Sequence, residues 1–138
     1  MMIELTLETA ERAAKAAHAK AKALGTVMTV AVVDEAGRPV LIARGDGAGF
    51  FSTDTARAKA VAAVAFRRAT KDLGDMAMKG SAFWAAVPAV LRGEALPSIG
   101  AVPLMRAGRV IGAIGCGGGT GEQDHECAVA GAEASGSA

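Results

Sequence analysis

An α+β fold is predicted for this chain of 138 residues. Three observations predict it. Alanine-rich stretches with apolar residues three and four apart stand at 7–24, 53–72 and 121–134. Short runs of strand-forming residues stand at 27–33, 39–43, 97–105 and 109–116. Those runs come in neighbouring pairs, each joined by a turn sequence, so they form hairpins and not parallel crossovers.

The elements follow in order. In the first helix Leu7, Ala10, Ala14, Ala17, Ala21 and Leu24 make one apolar stripe. Thr6 is its N-cap and Gly25 its stop. His18 falls on the flank of the stripe, beside Glu11, Lys15 and Lys22. Val27–Val33 is apolar on both faces and so needs cover on both. Asp34-Glu35-Ala36-Gly37 turns the chain into the returning strand. After the loop "RGDGAGFF", Ser52 or Thr53 is available to cap a helix running to about Asp72. That helix has Ala56, Ala60, Ala63 and Val64 on one side and Val61 and Ala65 on the other. A helix without a clean polar face is covered twice, which in so small a domain predicts a subunit interface. Residues 73–97 are less regular and predict one or two short helices under a flexible cover loop. Ala107-Gly108 joins the last two strands. Thr120-x-x-Gln123 is a capping box opening the last helix. One domain over 1–134 is expected, with 135–138 a frayed tail.

Composition narrows the function. The net charge is +1 and no basic block occurs, which argues against a nucleic-acid partner. No apolar run reaches membrane-spanning or signal-peptide length, so no membrane is expected as a partner. Two cysteines make no disulfide framework, and a cytoplasmic location with reduced thiols is expected. Much of the apolar content is alanine, which buries little area per residue and favours oligomers.

The stretch "RVIGAIGCGGGTGEQDHECAVAG" holds most of the candidate chemistry. Its glycines lack the Lys-Ser or Lys-Thr ending of a nucleotide-binding loop. They are either a tight turn or, with the N–H groups of Gly118, Gly119 and Thr120 at a helix start, a seat for a small carboxylate or phosphate. No metal site is expected. His125 and Cys127 diverge by about 160° on a helix, His125 outward and Cys127 inward. Lys59, Cys116 and Asp124 are the candidate acid–base or nucleophilic groups of an enzyme acting on a small organic acid, such as a lyase, isomerase or tautomerase. His18 is either a helix-flank histidine or a ligand for a haem iron, and Phe83 and Trp84 with nearby methionines are the bulky apolar set available as a wall.

"VAVVDEAGRPV", "STDTARAKAVAAVAFRRATK" and "GAVPLMRAGRVIGAIGCGGGTGEQD…AVAG" resemble the GlcG and HbpS type of haem-binding or haem-degrading domain, to which the C-terminal domain of PduO-type proteins also belongs. The resemblance spans roughly residues 4–134. It implies a profilin-like α/β/α layered fold with an antiparallel sheet. It also implies a homo-oligomer (dimer, tetramer or octamer) and haem or another tetrapyrrole as ligand.

Overall fold

The computed structural model describes residues 3–137. Five helices and four strands follow in the order α1 (Leu7–Ala23), β1 (Thr29–Asp34), β2 (Pro39–Arg44), α2 (Ser52–Phe66), α3 (Thr70–Met78), α4 (Ala82–Val90), β3 (Ala101–Arg106), β4 (Arg109–Gly117) and α5 (Gly121–Ala134). The strands form one antiparallel sheet in the order β2-β1-β4-β3. β1 and β4 lie in the middle, which is why both are apolar on both faces. The fold is α+β, with helices layered on each side of the sheet. No helix among the described residues is long and apolar enough to cross a membrane.

Alternation along the strands assigns the layers. Val30, Val32, Ile114 and Cys116 point to α1 and α5. Val33 and Ala113 point to α2, where they meet Ala60, Ala63 and Val64. Both hairpins turn where the sequence places them. Asp34 Oδ1 accepts from the N–H groups of Ala36 and Arg38. Ala107 and Gly108 both take positive φ, the pair of values that a two-residue hairpin turn needs. Thr6 caps α1 through the Thr9 N–H, and the capping box of α5 is fully formed.

The structure corrects four expectations. α2 stops at Phe66 and not near Asp72, because Arg67 turns left-handed (φ 55°) and its N–H closes onto Ala63 O. This break lets α3 fold back so that Leu73 covers Ala62. Neither Ser52 nor Thr53 is the N-cap of α2. That position falls to Phe51, and the Ser52 hydroxyl instead bonds Gly49 O and the Thr29 hydroxyl. The second buried face of α2 carries Ala62 and is covered from within the chain, by Leu73 of α3 and by Ala95. Its double burial therefore calls for no partner subunit, and Ala65 lies exposed. The tail is not frayed through Ser137. Ser135 is buried, and the Ser137 hydroxyl accepts from the Met105 N–H at 2.8 Å. Ala138 lies outside the described residues.

Small residues set how closely the layers approach. Gly131 of α5 sits against both α1 and the sheet. A Cβ there collides with Ile114 Cδ1 and meets Ala13 O at 2.8 Å. One of these neighbours is backbone and cannot swing aside. Gly131→Ala is therefore expected to lower stability by about 1–3 kcal/mol through overpacking, read as a lower urea midpoint with an unchanged slope.

Candidate functional site

Lys59 belongs to the sheet-facing side of α2, among alanines, where a free ammonium is costly to bury. Its answer comes from the other layer. Lys59 Nζ donates to Asp124 Oδ2 at 3.0 Å and to the Cys116 carbonyl at 3.1 Å. Both residues are buried. Asp124 Oδ1 accepts from the Gly119 N–H at 2.9 Å. The contact passes Gly100, just before β3, which has φ 137° and no side chain. A Cβ there lies 2.9 Å from Lys59 Nζ and 3.0 Å from Asp124 Cβ.

The glycine run is read from this contact. Gly118 takes φ 127°, a turn that L side chains resist. The Gly119 N–H goes to Asp124 and the Thr120 N–H to Gln123 Oε1. Two of the three N–H groups expected to seat a ligand's carboxylate are thus bonded within the chain, one to Asp124 and one to Gln123. The structure does join Lys59, Cys116 and Asp124, but through the Cys116 carbonyl. The Cys116 thiol points into the α1–α5 core. Burial pushes it well above its ordinary value, with smaller contributions from Cys127 and Asp124. It is a protonated thiol at neutral pH, unlike the thiolate that a cysteine nucleophile requires. Beside the run a hollow of about 450 Å³ opens between α3 and the start of α5, with Lys71 Nζ and Glu122 Oε2 3.7 Å apart at its rim.

His18 is half-buried on the flank of α1. Its Nε2 lies 3.0 Å from the Ala43 carbonyl, across on β2. A carbonyl only accepts, so Nε2 carries the proton and Nδ1 of the neutral ring keeps its lone pair. Histidines that bind metals commonly donate their second ring N–H in this way, which fixes the ring. His18 therefore fits an iron ligand. Gly45 packs beside the ring and beside Val27, which is 47% exposed. The loop leaving Gly45 carries Phe50 and Phe51, exposed at 77% and 67%.

Phe83 and Trp84 are not next to His18 within one chain. They cluster with Phe66, ring centroids 5.2–6.3 Å apart, on the far side of α2. α1 and α2 cover opposite faces of the sheet, and this layering parts the two sets. Cys127 is buried in the core as expected. His125 is less outward than expected. It is half-buried beside Lys20 and Glu126, and its Nδ1 is buried with no partner among the described residues.

The sequence model of a family described as "Haem degrading protein HbpS-like" matches residues 5–133. The chain belongs to that family. An uncharacterised 15.0 kDa protein from the dhaT-dhaS intergenic region of Citrobacter freundii is 32% identical over 120 residues, 87% of this chain and 84% of that protein. The crystal structure of a double mutant of Streptomyces reticuli HbpS is 34% identical with a TM-score of 0.86, covering 96% of this chain and 88% of the other. The crystal structure of a PduOC–haem complex is 31% identical with a TM-score of 0.85, covering 94% of each chain.

Sequence reasoning picked Lys59 and Asp124 but not their pairing, and it missed Gly100 and the Ala43 carbonyl. One signal was available. Lys59 stands one turn from both Ala56 and Ala63, so its ammonium enters an apolar stripe and requires an acid from elsewhere.

Two outcomes are expected. Lys59→Met leaves Asp124 buried without its cation and lowers stability by about 3–5 kcal/mol, while Lys59→Met with Asp124→Asn recovers at least half of that. Chemical denaturation of the two singles and the double measures the coupling. The second outcome concerns alkaline pH. Burial, then the charges of Asp124 and Glu126, pushes the Cys127 thiol up to about 11. Unfolded thiols ionise near pH ~8.5, so above that pH the unfolded chain releases protons that the folded chain keeps. Stability is full below about pH 8 and falls between roughly pH 8.5 and 11, by on the order of 2 kcal/mol from this thiol. Cys127→Ala should flatten that fall in a pH series of urea melts.

Proposed function

We propose that this chain binds haem or a closely related tetrapyrrole at the exposed flank of α1, with His18 Nδ1 as the iron ligand. The observation that carries this reading is the His18 ring, fixed by the Ala43 carbonyl with its second nitrogen free to donate. Membership of the HbpS-like family supports it, and so does the likeness to PduOC, which was crystallised with haem. When bound, haem would supply an iron that the His18 imidazole could ligate. Val27 lies beside the ring across Gly45, and Phe50 and Phe51 are exposed on the loop that follows Gly45. They replace Phe83 and Trp84 as the wall that a single chain offers. Lys15 and Lys22, both exposed one turn either side of His18, meet the propionates at ~0.2–1 kcal/mol each. The two free thiols, Cys116 and Cys127, suit a reducing cytoplasm.

The test is a haemin titration followed at the Soret band. Wild type is expected to saturate near one haem per chain. His18→Ala is expected to move the band and weaken binding about tenfold or more, a loss of ~1.4 kcal/mol. A paired Phe50→Ser and Phe51→Ser change is expected to weaken binding without moving the band. Absence of a saturable shift in wild type sinks haem binding. An unchanged band and affinity in His18→Ala sinks the ligand assignment alone.

A further inference from the structure

The two edges of the sheet are finished differently. β3 and β2 are the outer strands. The Cys116 N–H donates to the Gly100 carbonyl, so alternation turns Val102 and Leu104 toward β4 and leaves Ala101 and Pro103 facing outward. Each outward N–H of β3 is closed. That of Ala101 goes to the Thr70 hydroxyl at 2.8 Å, and that of Met105 goes to the Ser137 hydroxyl at 2.8 Å. Pro103, between them, has no N–H to offer. On β2 the Gly45 N–H donates to the Met28 carbonyl, so Ala43 faces β1 while Ile42 and Arg44 face outward. The backbone N–H and C=O groups of Ile42 and Arg44 have no partner among the described residues. Ile42 is 38% exposed, and Arg44 is exposed. A sheet that closes one edge and leaves the other bare keeps one edge for pairing.

We propose that the free edge of β2 takes up an extended, acidic segment of another protein, which adds a strand to the four-stranded sheet. An extended backbone is the partner that alternating N–H and C=O groups fit. Charge selects its side chains. Arg44 and, just before the strand, Arg38 are exposed, and no acid lies between them. A strand carrying a carboxylate at each end meets a cation at each end. A second β2 would bring the same two cations and no acid, so the edge suits a foreign strand better than a copy of itself. His18 takes neither outward carbonyl, since its partner is Ala43. The proposal does not rest on tetrapyrrole binding.

Amide NMR spectra of the full chain test it, with two blocked peptides of about seven residues as probes. Both alternate valine and threonine, one with a glutamate at each end and the other with a lysine at each end. At about 1 mM the glutamate peptide is expected to shift the Ile42 and Arg44 amide signals and to slow their hydrogen exchange. It should bind about fivefold or more tightly than the lysine peptide. Ile42→Pro removes an outward N–H and no bond to β1, a place where an edge strand accepts proline. It should abolish binding and leave the circular dichroism spectrum unchanged. Arg44→Glu, which does not touch the backbone, should remove the preference for the glutamate peptide. Absence of any shift at Ile42 and Arg44 overturns the edge as a docking site. Equal binding of the two peptides by wild type, or an undiminished preference in Arg44→Glu, overturns the acidic partner. Full binding by a folded Ile42→Pro chain overturns strand addition. Protection of the two amides that rises with protein concentration, with no peptide present, assigns the edge to a second copy and overturns the foreign strand.

Discussion

The Lys59–Asp124 ion pair is the constraint around which the rest of the structure is arranged. It is the polar contact that ties α2 on one face of the sheet to α5 on the other. A buried ion pair is a weak source of net stability, because desolvating two charges offsets most of their attraction. Breaking one is costly, however, since the remaining charge stays buried. Alternatives in which α5 is displaced from α2 therefore strand a charge, and the pair selects one arrangement of the layers more than it strengthens that arrangement. The glycines follow from it. Gly100 clears the space where the two side chains meet. Gly118 turns the chain so that α5 presents Asp124, and the Gly119 N–H then completes the carboxylate's shell. In that loop one N–H expected to face a foreign anion faces the protein's own carboxylate.

The same closeness explains an inversion in this molecule. Its interior is built largely of alanine, valine and glycine, while Phe50, Phe51, Phe83, Val90 and Met78 stand outside. Thin side chains let α1, α5 and the sheet approach until backbone meets side chain, as at Gly131. Such a core gains its stability from many close contacts and has no room for a phenylalanine. Bulky apolar groups are thus displaced to the surface, in two places. One is the loop from Gly45 to Phe51, whose first residue packs beside His18. The other is α4. The exposed groups of both places lie outside the core, so they are free to serve contacts with other molecules.

Most of what was encoded locally was legible in the sequence, the N-cap of α2 excepted. The capping box of α5, the Thr6 cap, both hairpin turns and the double-faced β1 depend on neighbours within a few residues, and each stands where composition puts it. The end of α2 was not legible, because Arg67 adopts a conformation that glycine usually signals. The second cover of α2 was misassigned for a related reason. An apolar face states that something covers it but not whether the cover is α3 or another chain. Contacts between distant residues were hidden in the same way. Lys59 and Asp124 are 65 residues apart, and His18 and Ala43 are 25 apart. Phe83 and Trp84 looked available to His18 only while the layers of their helices were unknown.

Layering is also what gives His18 its chemical character. A histidine on an isolated helix flank rotates freely and presents either nitrogen. Here β2 is an edge strand, and at Ala43 its carbonyl reaches the ring. The backbone bond selects one tautomer and one ring orientation, and so leaves the lone pair on Nδ1. The ring's fixed state depends on α1 holding its place over the sheet, through Ala10, Ala14, Ala17 and Ala21, and α1 in turn packs on α5. α5 is held to the opposite layer by Asp124. The histidine at the surface is therefore positioned by a chain of close packing that begins at the buried ion pair, even though no residue of that pair approaches it.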